Sequence, residues 1–516
     1  MKTIHKILFS TGCIAAMLLF ATGCTEKADL PEPAPILSGL EPEYFLTVND
    51  KLTLSPKVGN RIDSIVWWID GQRVANALTY TFDRTAQTGT YRMLVRAYNE
   101  DNITQQAFSI TIEDLSFRGF VNTVIPLEIS KKFEGKDPAK IVWEVMEPQT
   151  THYRIALSET GTPLFCAIKP GLYKIKAAID DLSDVISIRV LFSERMQTPY
   201  ISKVFHYLPA PGQFVNKLPK YEDGDTQEVM NLKAEALIAG EKNELVTLGG
   251  WGGYIVFGFD HTIVNVAGKR DFRILGNAFG ANANPRPDPP FGGSCEPGII
   301  MVAYDKNKNG KPDEDEWYEI RGSGNMTAEG EPWYQIAKDK GQDVATYRNY
   351  EMTYFRPTSE TPQEAGEIDN PGSFTTIKEY IRWKDNQDKE GYKIKNVYHD
   401  QSYYPGWIKD DQITYKGIRL ADNGISEKED GSYYVLYAYR YGYADNFPNL
   451  DARSAIDIDW AVDKNGNKVH LPGIDFVKVY NGVDKENGWL GEASTEVAGG
   501  QDLHMLGEDV DTIEGI

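Results

Sequence analysis

Cysteine and positive charge are both scarce in this sequence. Four cysteines occur in 516 residues, and only Cys166 and Cys295 lie beyond residue 24. A disulfide-dense scaffold is therefore excluded. Because the two cysteines fall in different predicted domains, we predict buried free thiols rather than a disulfide. Lys and Arg number 54 against 75 Asp and Glu, which gives a net charge of −21. This acidic balance argues against nucleic-acid binding, which needs a basic surface.

Several catalytic signatures are also absent. The sequence contains no G-x-S-x-G elbow, no H-E-x-x-H pair and no phosphate-binding glycine loop that opens a helix. Neither Cys166 nor Cys295 has a histidine close to it in sequence that would support a cysteine nucleophile. The composition also excludes coiled coils and multi-span membrane proteins. We therefore predict no catalytic residue, and a non-enzymatic function is the favoured interpretation.

The first residues have the pattern of an export signal. Lys2 and Lys6 precede an apolar stretch that ends in Ala-Thr-Gly and then Cys24. Small residues before a cysteine at the end of such a stretch are typical of bacterial lipoproteins. The pattern predicts a signal peptide over 1–23, lipidation of Cys24 and a polar, proline-rich tether over 24–33. The alternative is an ordinary secretory signal that is cleaved nearby.

The composition of the chain, with 29 Tyr, 21 Phe and 10 Trp, is typical of an all-β protein. Its 46 Gly and 27 Pro are scattered as turn residues. A strand pattern around Trp67 is followed by an Asp-Gly turn and by an alternating strand that begins at Gly89. A similar pattern returns around Trp143 and Gly171. The repeat predicts two immunoglobulin-like sandwiches in which the strand tryptophan packs against the facing sheet. We interpret both as spacers, and ligand binding by their loops is the alternative.

The punctuation predicts four segments after the tether. These are an immunoglobulin-like domain (34–114), a second immunoglobulin-like domain (115–207), a linker with one short helix (208–240), and a larger jelly-roll-like β-sandwich that we expect to bind ligand (241–516). The helix is predicted over Asp225 to Ala239, with Asp225 as its cap and Gly240 after its end. Its predicted apolar stripe is Val229, Leu232, Ala236 and Leu237.

An acidic loop carries the most specific chemical motif. Residues 305–316 read DKNKNGKPDEDE and fit the pattern D-x-[DN]-x-[DN]-G-x5-E. Calcium takes six to eight oxygen ligands, and such a loop supplies them from alternate residues. The predicted ligands are Asp305, Asn307, Asn309, the carbonyl of Lys311, Asp313 and Glu316. Because strand patterns flank the loop, we predict a structural Ca²⁺ rather than a helical EF-hand. The alternative is an acidic hairpin without an ion.

Three groups of aromatic residues are candidates for a ligand site, because aromatic rings stack on sugars or on flat macrocycles. The groups are Trp251 with Tyr254, Tyr403 and Tyr404 with Trp407, and Tyr437 with Tyr439 and Tyr441. The last group lies in a stretch, 433–443, that we predict to be one strand. The alternative interpretation is a sandwich core with tyrosines at its rim.

A pair of carboxylates is a further candidate. Asp457 and Asp459 would share one face of a predicted strand, and paired carboxylates can perform acid–base hydrolysis. The favoured alternative is that both face solvent from a strand whose other side is buried.

Two sets of motifs resemble known families. The sequence VWWIDG, followed by YTF and GTYRMLVRAYN, resembles a polycystic-kidney-disease-like (PKD-like) domain, which would be the predicted domain 34–114. The motifs LGGWGGYIVFGFDHTIVN, DFRILGNAF, EPGIIMVAYDKNKNGKPDEDEWYEIRGS, YYPGW and AIDIDWAVDKNGNKVHLPGIDFVKVYNGV follow in order between residues 248 and 503. They resemble a group of Bacteroidetes cell-surface lipoproteins that carry an N-terminal PKD-like domain.

That resemblance implies a lipid-anchored protein of the outer membrane that faces the cell exterior. Several members of the group occur beside TonB-dependent transporters, including those for cobalamin, so it also implies capture of a nutrient for such a transporter. A corrinoid is the first expectation for the ligand, and the resemblance supplies no binding residues. A glycan-binding or glycan-hydrolysing surface lipoprotein and an adhesion or surface-layer protein remain the alternatives.

Overall fold

The computed structural model describes residues 31–242, 244–364 and 374–515. The predicted signal peptide and Cys24 lie outside the described residues. The fold is all-β, with 36 strands and three α-helices in the described part of the chain. The chain divides into two compact units after Leu115.

The first unit is an immunoglobulin-like sandwich. Its strands are β1 (Ile36–Ser38), β2 (Glu43–Thr47), β3 (Leu52–Leu54), β4 (Lys57–Gly59), β5 (Ser64–Ile69), β6 (Gln72–Asn76), β7 (Tyr80–Phe82), β8 (Gly89–Tyr98) and β9 (Ile103–Glu113). A five-stranded sheet has the order β2-β9-β8-β5-β6, and β1-β4 and β3-β7 form two-stranded sheets. Trp67 is fully buried on β5, as predicted, and its indole N–H donates to the Ala77 carbonyl at 2.8 Å.

The second unit begins with another sandwich. Its strands are β10 (Phe117–Phe120), β11 (Ile125–Pro126), β12 (Val142–Glu147), β13 (Tyr153–Leu157), β14 (Pro163–Ala167), β15 (Gly171–Ile179) and β16 (Leu182–Leu191). They form the sheets β10-β16-β15-β12 and β11-β14-β13. Phe165 and Tyr173 form its buried centre, edge to face at 5.2 Å. Trp143 differs from Trp67 because β12 is an edge strand, which leaves that indole only partly buried.

The larger sandwich follows in the same unit. Its elements are β17 (Lys203–Ala210), α1 (Gln227–Ile238), β18 (Val246–Thr247), β19 (Gly250–Val264), β20 (Phe272–Leu275), β21 (Phe279–Gly280), β22 (Gly292–Ser294), β23 (Gly298–Ala303), β24 (Trp317–Ile320), α2 (Tyr334–Asp339), β25 (Tyr347–Phe355), β26 (Thr375–Asp385), β27 (Glu390–Asn396), β28 (Gln412–Arg419), β29 (Gly424–Ser426), β30 (Tyr434–Tyr437), β31 (Tyr443–Ala444), β32 (Ala455–Ile456), β33 (Ala461–Val462), β34 (Gly473–Asn481), β35 (Glu496–Val497), β36 (Gly499–Asp502) and α3 (Leu503–Leu506).

A seven-stranded sheet is the main layer of this sandwich. Its order is β17-β19-β34-β23-β24-β33, and β31 also pairs with β23. Two four-stranded sheets, β27-β26-β25-β28 and β21-β22-β30-β29, complete the domain together with the small sheets β32-β20-β36 and β18-β35. The start of the predicted linker, 208–210, is therefore part of β17, the edge strand of the main sheet.

Helix α1 covers that edge strand, and its buried face differs from the predicted stripe. The helix begins after Thr226, whose hydroxyl accepts a hydrogen bond from the Val229 N–H. The buried positions are Met230, Ala234 and Ile238, whereas Leu232 is 62% exposed. The prediction failed because the inward face also carries polar residues. Their side-chain oxygens bind the open edge of β17: Asn231 accepts from the Tyr207 N–H, and Glu235 accepts from the Val204 N–H, both at 2.9 Å.

Among the described residues, no helix combines the length and the apolar character that a membrane crossing requires.

Candidate functional site

The Tyr403–Trp407 segment is part of the core rather than an open loop. Tyr403, Tyr404 and Trp407 are 2%, 1% and 7% exposed. The Trp407 ring stacks on Tyr207 with ring centroids 5.8 Å apart, and its indole N–H donates to Gln227 at 3.0 Å. The Tyr404 hydroxyl donates to the Asp410 carbonyl at 2.8 Å. These contacts fit the core interpretation of the segment.

Trp251 is equally enclosed, but Tyr254 is not. Trp251 is fully buried, donates to the Ile418 carbonyl at 3.1 Å and meets Tyr350 edge to face at 4.8 Å. Tyr254 is partly buried, and the Lys478 ammonium lies 4.2 Å from the centre of its ring.

Of the third aromatic group, Tyr437 and Tyr439 lie in the core. The stretch 433–443 is not one strand. Strand β30 ends at Tyr437, and pairing resumes only at Tyr443. Tyr437 and Tyr439 are fully buried, and their hydroxyls donate to Glu427 at 2.8 Å and to the Ala421 carbonyl at 2.7 Å. Tyr441 is half-buried beside Trp460 at 5.2 Å. Gly442, at φ +90°, reverses the chain here, which a continuous strand does not permit. The three predicted aromatic groups therefore form no common open surface.

Asp457 and Asp459 do not share a strand face. Asp459 lies within a short 3₁₀ turn, Ile458–Trp460, and the Asp457 carboxylate caps that turn by accepting from the Asp459 N–H at 2.7 Å. Burial, together with the nearby Asp271, raises the pKa of Asp457 to about 7. Burial would also raise the pKa of Asp459, but attraction to Arg154, 2.5 Å away, outweighs burial and lowers it. Both carboxylates are bound within the protein, which contradicts the prediction of a shared strand face.

The acidic loop joins β23 to β24, so its flanks are strands as predicted. The Asp305 carboxylate accepts from the N–H groups of Asn309 at 3.0 Å and Gly310 at 2.8 Å. The side-chain amides of Asn307 and Asn309 both lie 2.7 Å from one oxygen of Asp313. Four of the predicted ligands therefore converge, and their donor set suits a hard cation.

Glu316, the last residue of the motif, is bonded to both ends of the loop. It is 1% exposed, and its two oxygens accept from the N–H groups of Lys306 at 2.8 Å and Asp313 at 3.2 Å. Its carboxylate therefore ties the first turn of the loop to the last. Lys311 continues the turn, and its N–H donates to the Asn309 side chain at 2.7 Å.

A cleft of about 600 Å³ lies in the larger sandwich, and the sequence did not reveal it. Eight of its thirteen lining residues have polar side chains, and the lining consists of Gln213, Phe374, Thr375, Ile394, Asn396, Tyr403, Asp430, Gly431, Ser432, Glu486, Gly488, Gly491 and Glu492. The volume lies within the range of about 300–1,000 Å³ that is typical of small-molecule sites. We refer to it as the first cleft.

A buried charge cluster organises the first cleft. The ammonium of Lys393, which is 4% exposed, lies 2.9 Å from Glu486 and 3.3 Å from Glu492. Burial lowers the pKa of Lys393, but attraction to the two carboxylates outweighs burial, so its pKa is raised. Burial raises the pKa of Glu492 to about 7, and Lys393 opposes that rise. Glu486 remains 42% exposed and faces the opening as a hydrogen-bond acceptor.

Amide and hydroxyl groups hold this cluster in place. The Gln213 N–H donates to Glu492 at 2.6 Å, and the Asn396 side-chain amide donates to Gln213 at 3.1 Å. The Asn396 N–H donates to the Tyr403 hydroxyl at 3.2 Å. Tyr403 is therefore the one predicted ligand-site residue that lines the cleft.

A second group of acids lies elsewhere in the same domain. Glu296, Asp445 and Glu496 each place one carboxylate oxygen within 4.8 Å of the others. Asp445 accepts from the N–H groups of Asn277 and Ala278, both at 2.8 Å. Burial, with mutual repulsion between the carboxylates, raises the pKa of Glu296 to about 8 and that of Glu496 well above its usual value. Burial likewise raises the pKa of Asp445 to about 7. We refer to these three residues as the carboxyl cluster.

Cys166 and Cys295 are both buried free thiols, as predicted. Burial raises the pKa of each thiol well above its usual value, which removes the thiolate that nucleophilic catalysis needs.

Comparisons with known proteins identify no family. No family model matches the chain, and no curated protein matches it. Matching solved structures include an I-band fragment of titin (13% identity, 31% of this chain and 66% of that one, TM-score 0.15). They also include fibronectin(III)-like modules of CbhA from Clostridium thermocellum (9% identity, 32% and 97%, TM-score 0.16). The N-terminal immunoglobulin module of the Drosophila receptor protein tyrosine phosphatase DLAR also matches (12% identity, 31% and 100%, TM-score 0.14). The chain is thus similar to immunoglobulin-like and fibronectin-like modules over about a third of its length, and its own sheet topology carries the all-β assignment.

Proposed function

We propose that this chain is a surface lipoprotein that binds an extracellular glycan in the first cleft. The observation that carries the proposal is the lining of that cleft. Three carboxylates, two side-chain amides and a tyrosine hydroxyl surround a volume of about 600 Å³. The carboxylates accept hydrogen bonds, and the amides and the hydroxyl both accept and donate, so together they suit a neutral ligand that is rich in hydroxyl groups. Phe374, which is 42% exposed, supplies aromatic surface against the face of a sugar ring.

The corrinoid that the resemblance implies has less support from the geometry. A flat macrocycle needs a broad, exposed aromatic face. Of the eight predicted aromatic residues, only Tyr403 lines the first cleft, and it is 2% exposed. Tyr254 and Tyr441 are partly buried, and the other five are buried. Corrinoid binding therefore stays a prediction, which the experiment below separates from glycan binding. A TonB-dependent transporter as partner and anchorage through Cys24 belong to the same proposal, and they rest on the sequence motifs alone.

The test is titration calorimetry of the full chain with neutral xylo-, manno- and cello-oligosaccharides and, separately, with cyanocobalamin. We expect at least one oligosaccharide to bind and cyanocobalamin to give no heat. Glu486→Gln keeps the side-chain shape and replaces an acceptor oxygen by a donor, so it should weaken glycan binding by about tenfold or more, equal to ~1.4 kcal/mol.

Glu390→Gln is the matched control, since Glu390 is 63% exposed and does not line the cleft. It should leave the affinity unchanged. Failure of every oligosaccharide, or equal affinity in Glu486→Gln and wild type, would contradict glycan binding in this cleft. Tight binding of cyanocobalamin would favour the corrinoid prediction instead.

We also propose that the acidic loop holds a structural Ca²⁺ through Asp305, Asn307, Asn309 and Asp313. With calcium at about 100 times the dissociation constant, binding would stabilise the fold by ~2.7 kcal/mol. Removal by EGTA should therefore lower the Tm by a few degrees, measured by calorimetry. Asp305→Asn should abolish this difference, whereas Asp463→Asn, in a similar exposed turn with bonds to Asn465 and Asn467, should retain it. An unchanged Tm together with no calcium in elemental analysis would rule the site out.

A further inference from the structure

A second cleft, of about 550 Å³, lies between the second sandwich and the larger one. Trp143, Thr151 and residues 153–157 line it from the second sandwich, and Ala267 and His470 line it from the larger domain. We refer to it as the junction cleft.

The walls of the junction cleft are fixed relative to each other. Asp459 of the larger domain accepts two hydrogen bonds from the Arg154 guanidinium, at 3.1 and 2.5 Å, and a third from Asn265 at 3.1 Å. A buried apolar cluster also crosses the junction and contains Val124, Leu164, Cys166, Val264, Val266 and Tyr304. The cleft is therefore preformed rather than dependent on a domain movement.

Two N–H donors at this cleft have no acceptor. The indole nitrogen of Trp143 and the Nε of Arg154 are both buried, and neither has a hydrogen-bond partner in the described protein. A buried donor without a partner costs about 1–3 kcal/mol, so most such groups in proteins are satisfied. A ligand that supplies acceptor oxygens would recover this free energy.

His470 adds a third donor at the rim. Its Nδ1 lies 3.1 Å from a terminal nitrogen of Arg154. The same Nδ1 lies 3.5 Å from the Asp459 carboxylate. Because a guanidinium only donates, an Nδ1 that accepts from Arg154 leaves the ring N–H at Nε2. No carboxylate is among the lining residues, in contrast to the first cleft. The junction cleft therefore presents donors, whereas the first cleft presents acceptors.

We propose that the junction cleft binds an acidic sugar, meaning a sugar ring that carries a carboxylate. The carboxylate would accept from Trp143 and Arg154, and from His470 at the opening. The rings of Trp143 and Tyr153, together with Leu157, offer an apolar surface to the ring of the ligand. This site is separate from the first cleft, and the proposal does not depend on the function proposed there.

The test compares D-glucuronate with D-glucose, which have the same ring and differ in the carboxylate. The full chain is labelled with ¹⁵N at the tryptophan indoles, and the Trp143 resonance is identified as the one missing from Trp143→Phe. We expect D-glucuronate at millimolar concentration to shift this resonance and D-glucose to leave it in place. By calorimetry, D-glucuronate should bind at least about tenfold more tightly than D-glucose.

Two variants locate the binding. Trp143→Phe keeps the ring and removes the N–H, and Arg154→Lys keeps a cation for Asp459 and removes the Nε donor. Each should weaken binding of D-glucuronate by about tenfold. Trp68→Phe, in the first domain, and Glu390→Gln, at an exposed position outside both clefts, should leave it unchanged. An unmoved Trp143 resonance, or equal affinities of the wild type for the two sugars, would overturn the proposal. The calorimetric comparison needs the wild type alone, so it decides even where a variant fails to fold.

Discussion

Trp407→Ala should lower the free energy of unfolding by about 3–5 kcal/mol, the usual cost of truncating a buried aromatic side chain. Trp407 is 7% exposed, stacks on Tyr207 and also contacts Tyr221 at 6.1 Å between ring centroids. Its indole N–H is bonded to Gln227, so truncation also leaves a buried acceptor without its donor. Urea unfolding of the full chain, followed by near-ultraviolet circular dichroism, measures the loss.

Tyr398→Ala is the matched control, because Tyr398 belongs to the same stretch of chain and is 58% exposed. Its effect should stay within about 0.5 kcal/mol. A Trp407→Ala variant with wild-type stability but with lost ligand binding would contradict the core interpretation. The segment Tyr403–Trp407 would then again be a candidate for the ligand site.

The sequence predicted the architecture better than the site, and Trp67 and Trp407 show why. Trp67 lies in an alternating strand next to an Asp-Gly turn, and that local pattern predicts its burial. Trp407 follows Pro405 and Gly406 in a segment that has neither helical nor strand periodicity. Its burial depends on Tyr207 and on the first residue of α1, which are distant in sequence. The convergence of side chains in the acidic loop was predictable because the loop spans only twelve residues, 305–316.

The first cleft was not predictable, because the residues that form it are also distant in sequence. Lys393, Glu486 and Glu492 come from β27 and from the segment after β34, and Gln213 comes from the segment after β17. No spacing in the sequence relates these positions. The donors of the junction cleft likewise come from two domains, and only the packing between the sandwiches brings Arg154 to Asp459 and His470.

The carboxyl cluster should make the protein more stable as the pH falls from about 8 towards 5. Glu296, Asp445 and Glu496 all have raised pKa values, about 8 for Glu296 and about 7 for Asp445, because burial and mutual repulsion disfavour their charged forms. In the unfolded chain, carboxyl groups titrate near pH ~4. Between these limits the folded state holds protons that the unfolded state releases, so stability is lost as the pH rises through 7–8.

Glu496→Gln tests this without changing the shape of the side chain. The Thr247 hydroxyl donates to Glu496 at 3.1 Å, and a glutamine oxygen accepts that bond equally well. The substitution removes one buried acid, whose pKa burial and repulsion by Glu296 and Asp445 raise, so the proton that the folded state holds there no longer contributes to the pH dependence. Since each unit of pKa shift is worth about 1.4 kcal/mol, the variant should lose ~2–4 kcal/mol less stability than wild type between pH 5.5 and 8.5. Urea midpoints across that range measure the difference, and exposed Glu379→Gln should follow the wild-type curve.

Parallel curves for Glu496→Gln and wild type would mean that the three acids are already ionised at neutral pH. In that case the N–H and hydroxyl donors around them, including the two backbone groups on Asp445, outweigh the cost of burial.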